Sequence, residues 1–422
     1  MSHGHWLANC VTTSCKKVGE CQRRPRDGAC DNENVAELLE LTASSFVPDN
    51  NRSRISVNSS THKYTSANSP KVLYLTAITI PLSSRAMSGS TLFVPQFSSY
   101  TAEAFKIHTE ANPHQSEVEP ASNAWFDSYG VYTDEQRQRF IEFKFSLLAS
   151  LCFPNAEISR FRTTMDFMLW YFSFQGMVDG DFFKSPEEMK SAMDAMVRAA
   201  NDLNSPSSNF QPAAMIQSCL QRMVHSQPHV EVQRFVAGLD EYMHARFQEK
   251  FNLSPIPTLE ECFELRRNTA GMNLWTSVFR YARGLNLPDQ VVNHESLSEL
   301  TKAGMDTFNM AGDIYASIIL RGGAHPLNAV SIVMHHNGLD LQGSINFVEQ
   351  LMRKRLDEYL KIKAKLPSFG PSLDEQVAQY AQTIEHCMHG HLEWAFMTPT
   401  YFGDQAESVR ETGVVNIDKV AV

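Results

Sequence analysis

Residues 166–183, DFMLWYFSFQGMVDGDFF, read as an apolar, aromatic helix that ends in acid. Met168, Phe172, Gln175 and Asp179 fall at i, i+4, i+7 and i+11, so they share one helical face. Acid at the end of a greasy face is costly to bury unless it meets a cation, a partner or water. Two readings stand. Either the face lines a site with Asp179 at its mouth, or the helix is ordinary core and Asp179 and Asp181 are solvated beyond its end.

The chain around this helix has 422 residues, 43% hydrophobic and 20% charged. That is enough apolar material for one large helical domain or for two or three smaller ones. A net charge of −10 and a pI near 5.8 argue against a nucleic-acid or membrane-surface binder, which would carry basic clusters. The strongly apolar run from Val72 to Leu82 is too short to span a bilayer. The first residues lack the basic-then-apolar order of a signal peptide, so a cytoplasmic, reduced protein is expected. Cys10, Cys15, Cys21 and Cys30, with His3 and His5, lack the paired C-x-x-C of common zinc modules, and incidental thiols in a tail are the better reading.

Residues 1–68 are rich in Ser, Asn, Thr, Arg and Asp and read as a flexible, Cys-containing leader with one short helix at Val35–Leu41. Residues 69–422 read as the folded part. Lys71–Pro95 is β-prone but broken by Pro81 and Gly89, which predicts extended packing or a small hairpin. From about Thr101 the signal is helical almost to the end. Thr133 with Gln136 forms a capping box before a helix running to about Cys152. Ser185, Pro186 and Glu188 supply an N-cap, an N1 proline and a capping partner. Further helices are expected near 211–226, 228–250, 258–268, 272–284, 296–320, 327–335, 340–364 and 373–396. The fold class is therefore all-α, with any site lying between facing helices.

A second polar face lies on the helix Leu297–Arg321. Asp306, Asn309, Asp313 and Ser317 sit at i, i+3, i+7 and i+11, a stripe of the oxygen donors that hard cations such as magnesium prefer. The plain alternative is an amphipathic helix with its polar face in water. Arg266 and Arg267, in ELRRNTAGM, suit a diphosphate through charge-assisted hydrogen bonds, or else simply favour a helix C-terminus. Gly271 follows, where a helix could break and expose carbonyls. Trp275, Phe279, Phe308 and Tyr315 offer aromatic faces that stabilise a nearby cation, unless they are core packing.

Over roughly residues 112–403 the chain resembles the class I terpene synthases of fungi, in five blocks taken in order. NPHQSEVEPASNAWF (112–126) is similar to the segment before the family's first core helix. FPNAEISRFRTTMDFMLWYF leads into the place of its aspartate-rich motif. LRRNTAG resembles the pyrophosphate-sensor segment, GDIYASIILRGGAHPLNAVSIVM the second metal motif and the helix after it, and WAFMTPTYFG the C-terminal segment that carries an Arg-Tyr pair. The motifs themselves are altered. The DDxxD motif falls on Gln175, Gly176, Met177, Val178 and Asp179, so only its last acid remains, with Asp181 two residues on. The NDxxSxxxE motif falls on Gly312, Asp313, Ala316 and Leu320. Shifting the frame by three residues gives Asn309, Asp313 and Ser317 as an i, i+4, i+8 set. The Arg of the C-terminal pair is Thr400, while Tyr401 remains.

The resemblance implies a single class I terpenoid-synthase-like helical domain acting on an isoprenoid diphosphate, as a monomer or homodimer. It implies three magnesium ions, with Asp179, Gln175, Asn309, Asp313 and Ser317 as metal ligands. Arg266, Arg267 and Tyr401 would bind the diphosphate, and Asp179, Asp313, Arg266 and Arg267 would carry the ionisation. Met168, Phe172, Gly271, Trp275, Phe279 and Tyr315 would form the pocket. An atypical branch, similar to the humulene synthases of fungal tropolone-sesquiterpenoid pathways, suits a chain with these departures. The expected reaction is cyclisation of farnesyl diphosphate; the alternative is a silent relative that binds an isoprenoid diphosphate or a partner protein. An acid-initiated class II cyclase needs a DxDD-type acid, and VDGDFF supplies two of its acids.

Overall fold

The computed structural model describes residues 91–253, 255–322 and 326–419. The expected leader, its short helix at 35–41, the four N-terminal cysteines and most of the 71–95 stretch lie outside the described residues.

The described chain is all-α apart from one two-stranded ribbon. In order it runs β1 (Thr91–Phe93), α1 (Phe97–Phe105), α2 (Gln115–Asp127), α3 (Asp134–Glu142), α4 (Phe145–Cys152) and α5 (Ile158–Asp179). It continues through α6 (Pro186–Asn201), α7 (Gln211–Met223), α8 (His229–Asn252), α9 (Leu259–Thr269) and α10 (Met272–Arg283). The last part comprises α11 (Glu295–Ile319), α12 (Ala329–Asn337), α13 (Leu341–Lys363), α14 (Pro371–Met397), α15 (Ala406–Thr412) and β2 (Val414–Asn416). Among the described residues, no helix is long and apolar enough to cross a membrane.

The helix starts follow local chemistry. Thr133 and Gln136 form a reciprocal capping box on α3, Thr258 and Glu261 another on α9, and Ser185 caps α6 with Pro186 in its first turn. The decisive helix is α5. It is apolar around most of its circumference, which places it centrally rather than on the surface. It packs against α2, α4, α7 and α10, while α11 packs against α13 and α14. Asp166 is fully buried in α5 and is held there by Arg162 at 3.1 Å and Arg222 at 2.6 Å.

Two sequence expectations change. The helix expected to run from Thr133 to Cys152 is two helices, because Lys144 turns into the left-handed region at φ 53°. A long-range contact accounts for the break: the Trp394 indole N–H donates to the carbonyls of Phe143 (2.8 Å) and Lys144 (3.1 Å), and Lys144 Nζ donates to the Met397 carbonyl at 2.9 Å. No local pattern announces partners so distant. Residues 91–93, read as part of an extended stretch or small hairpin, pair antiparallel with 414–416 near the other end of the described chain.

One glycine fixes a helix crossing that matters for the site. A Cβ on Gly390 of α14 would lie 2.8 Å from the Leu151 carbonyl carbon of α4, so only glycine allows these helices to touch backbone to backbone. That contact sets the rotation of α14, and with it the face carrying Cys387, His391 and Trp394.

Candidate active site

A cavity lies between α4, α5, α10, α11 and α14. The space open to the centres of water-sized spheres is about 170 Å³. From α5 it is lined by Met168, Tyr171, Phe172 and Gln175, successive members of one helical stripe. Trp275 and Phe279 face it from α10, and Met305, Phe308, Asn309, Gly312 and Ala316 from α11. Cys387, His391 and Trp394 close it from α14, and Tyr401 from the short turn Pro399–Phe402. The aromatic side chains brace one another. Phe172 stacks on Phe145 with centroids 4.0 Å apart, and Tyr171 meets Trp275 edge to face at 4.9 Å.

The break between α9 and α10 also faces this space. Gly271 sits at φ 69°, a left-handed conformation in which glycine is at ease. The turn frees the Ala270 carbonyl, which accepts from the Tyr171 hydroxyl at 3.1 Å. Burial pushes the Tyr171 pKa up, so its phenol stays protonated and able to donate. Gly271 itself packs against Tyr242, and its neighbour Ala270 lines the cavity.

The polar groups form a charged mouth. Asp179, at the end of α5, is ion-paired with Arg246 of α8, and the same guanidinium pairs with Glu249 one turn on. Arg246 is 1% exposed, and its Nε has no partner. Burial disfavours the charge of Arg246, but Asp179 and Glu249 outweigh it and raise the pKa. Lys250 donates to the carbonyls of Val178 (2.6 Å) and Gly180 (2.9 Å), satisfying the C-terminal end of α5. On the facing side, Arg266 Nη2 lies 3.1 Å from Asp313 Oδ1. Asp313 Oδ2 accepts from the Ala329 N–H, the first amide of α12, at 2.9 Å, while Asn328 caps that helix by accepting from the Ser331 N–H. Three carboxylates, Asp179, Glu249 and Asp313, thus stand among three cations, Arg246, Lys250 and Arg266.

The adjacent arginines separate. Arg266 lines the cavity, whereas Arg267 makes a two-pronged pair with Asp306 at 2.8 and 2.7 Å. Arg355 also reaches Asp306, at 2.9 Å, so that acid and Arg267 form a tie between α9, α11 and α13. Of the expected pocket walls, Met168, Phe172, Trp275 and Phe279 line the cavity, while Gly271 stands next to the lining residue Ala270 and Tyr315 is outside the lining. Tyr315 packs 5.5 Å from Tyr401, between that ring and Phe402. Of the expected ligand set, Gln175 and Asn309 face the cavity, and Asp179 and Asp313 are engaged by arginines at its rim. Ser317 is turned away, donating to the Ile314 carbonyl at 2.7 Å. Among the described residues no three His, Cys, Asp or Glu side chains cluster as metal ligands.

Sequence reasoning missed Arg246, Glu249 and His391. The Arg246–Glu249 spacing announces a helical pair, but nothing local announces that it is buried against Asp179. Cys387, His391 and Trp394 stand at i, i+4 and i+7, and this stripe was the readable signal for the α14 wall.

An all-α frame enclosing an aromatic cavity with a charged rim has the build of an enzyme that shelters a reactive hydrocarbon. The comparisons agree. A family model described as "Terpene synthase family 2, C-terminal metal binding" matches residues 166–358. Sesquiterpene synthase 3 of Postia placenta is 32% identical over 304 residues, covering 71% of this chain and 82% of the relative. Sesquiterpene synthase Agr1 of Cyclocybe aegerita is 27% identical over 308 residues, covering 72% and 88% respectively. The fold is shared with the crystal structure of germacradien-4-ol synthase from Streptomyces citricolor, at TM-score 0.60 and 19% identity, over 68% of this chain and 94% of that one. The chain belongs to the terpene synthase family, as a class I enzyme of the carbon–oxygen lyase type.

Proposed function

We propose that this enzyme is a sesquiterpene cyclase that converts farnesyl diphosphate into a cyclic hydrocarbon and diphosphate. One observation carries the reading. Arg266 stands in the wall of a largely apolar, aromatic cavity, with one hydrogen bond among the described residues and its Nε unpartnered. A partly buried guanidinium with its Nε unpartnered suits a diphosphate oxygen, and the aromatic space beside it suits the hydrocarbon tail. The names of the relatives, sesquiterpene synthases, support a fifteen-carbon substrate. The humulene skeleton rests on the resemblance to the humulene synthases alone.

The family match implies a divalent metal, and the donor chemistry fits one. Gln175 and Asp179 on α5 and Asn309 and Asp313 on α11 all offer oxygen, while the buried, unpartnered Nδ2 of Asn309 is a donor that suits a diphosphate oxygen and not the cation. We assign these four residues to magnesium; the count of three ions is carried over from the resemblance. When bound, the metal would stabilise charge on the departing diphosphate. The protein's own groups do the rest. Arg266, and Arg246 once it exchanges partners, oppose charge on the leaving oxygens. Phe172, Trp275, Phe279 and Phe308 shape the chain and stabilise cationic carbon through their ring faces. The closely packed wall keeps out water that would trap the cation as an alcohol.

The test is incubation of the purified protein with farnesyl diphosphate, with and without magnesium, followed by gas chromatography–mass spectrometry. A magnesium-dependent hydrocarbon is expected, and its skeleton tests the humulene assignment. Absence of product from farnesyl, geranyl and geranylgeranyl diphosphate, in protein shown to be folded, would overturn the reading.

A further inference from the structure

His391 is a polar side chain in the apolar depth of the cavity. It is 5% exposed and lines the cavity opposite the α5 wall. Its ring lies flat against Phe308 at 4.2 Å and near-parallel to Trp394 at 5.9 Å. Nδ1 has no hydrogen-bond partner. The Cε1–Nε2 edge of the ring faces Gly312, where an added Cβ would stand 3.6 Å from Cε1 and 4.0 Å from Nε2, so the α11 residue opposite that edge has no side chain to cover it; Tyr315 of α11 lies 6.3 Å away, tilted to the ring.

Two residues earlier on the same helix, His389 shows how this fold treats a structural imidazole. Its Nδ1 lies 3.0 Å from Thr101 Oγ1 and its Nε2 2.9 Å from Thr109 Oγ1, so both nitrogens are satisfied. Leaving a buried polar atom unsatisfied costs about 1–3 kcal/mol, which a phenylalanine at 391 would avoid while keeping the ring stack. The imidazole therefore has a use that packing does not explain.

Resting on the cyclase reading above, we propose that His391 is the base that removes the proton ending the cyclisation. The C–H bond next to the cationic carbon breaks, and its electron pair becomes the new double bond. The proton passes to the ring nitrogen that bears the lone pair, giving imidazolium, which returns it to solvent or to the released diphosphate when the site opens. Burial holds the His391 pKa down at about 4, so the ring is neutral at ordinary pH and does not repel the cation. A weak base suffices, because a carbocation is a far stronger acid than imidazolium.

The test compares His391→Phe and His391→Gln with the wild type, incubated with farnesyl diphosphate and magnesium. Diphosphate release reports ionisation, gas chromatography–mass spectrometry reports the product, and thermal melting reports the fold. Phenylalanine keeps ring shape and stacking but no acceptor; glutamine keeps an acceptor and loses the shape. The expected result is release within about threefold of wild type in both. The share of the wild-type hydrocarbon should fall in the order wild type, Gln, Phe, with at least a tenfold drop for Phe in favour of isomers from earlier proton loss or of alcohols. The reverse order, with Phe closer to wild type, would show that shape alone matters and overturn the proposal. So would unchanged products in both variants, or loss of release in step with product. If the wild type itself yields no product, the cyclase reading falls first and the base with it.

Discussion

The floor of the cavity and its mouth are built on opposite principles. The floor is made of helical faces that repeat: Met168, Phe172 and Gln175 on α5, Trp275 and Phe279 on α10, Cys387, His391 and Trp394 on α14. Each wall is a local property of one helix, and burial of its apolar stripe aims it inward. The mouth is made of single side chains whose partners come from elsewhere in the chain. Asp179 finds Arg246, Arg266 finds Asp313, and Asp313 also accepts from the first amide of α12. On the floor a substitution leaves the packing of the other helical faces in place, whereas the mouth is a linked set in which removing one charge takes a partner from another.

If that contrast is right, the heaviest loss of stability should come from the mouth. Arg246→Met removes the cation that Asp179 and Glu249 share and is expected to cost about 3–5 kcal/mol in urea or thermal unfolding. A loss under 1 kcal/mol would show that the two acids find other partners and that the set is not linked. Next come the two acids proposed as metal ligands. Asp179→Asn and Asp313→Asn are each expected to lower turnover at least about tenfold, or roughly 1.4 kcal/mol of barrier, read as diphosphate release under saturating substrate. Wild-type turnover in both would remove them from the metal assignment. On the floor, Phe172→Leu is expected to change the product mixture while release stays within about fivefold, corresponding to about 1 kcal/mol of barrier. The smallest effect on turnover is expected for Asp306→Asn, whose partners Arg267 and Arg355 lie outside the cavity lining. Its cost should appear in the melting curve instead, at about 1–3 kcal/mol. A turnover loss as large as that of Asp179→Asn would move the Arg267 side of α9 into the site.

The same contrast explains what the sequence disclosed. Helix positions were legible because capping residues and apolar periodicity are local, as at Thr133, Ser185 and Thr258. The α5 face, Met168, Phe172 and Gln175, is read from the same periodicity, whereas Trp275 and Phe279 on α10 are named for their aromatic type and through the resemblance. The break at Lys144 was hidden, because the carbonyls it frees are taken by Trp394 from the far end of the chain. Arg266 and Arg267 are neighbours in sequence but lie about 100° apart around a helix, and sequence alone could not say which one faced the cavity. Tyr315 shows the limit of reading by residue type. Its type suited a pocket wall, but Tyr401 occupies that wall and Tyr315 supports it from behind.

The β1–β2 ribbon has a consequence for how the chain is made. Val94 N–H donates to the Gly413 carbonyl at 2.7 Å, and Leu92 lies opposite Val415, both buried. Synthesis delivers β1 early and β2 among the last described residues, and loop closure on this scale has to wait until the intervening helices have gathered. Until then the edge at Thr91–Phe93 is open to pairing with any other strand. Without Val414–Asn416 the Thr91–Phe93 strand loses this ladder, and the buried Leu92 loses the Val415 backbone that lies opposite it.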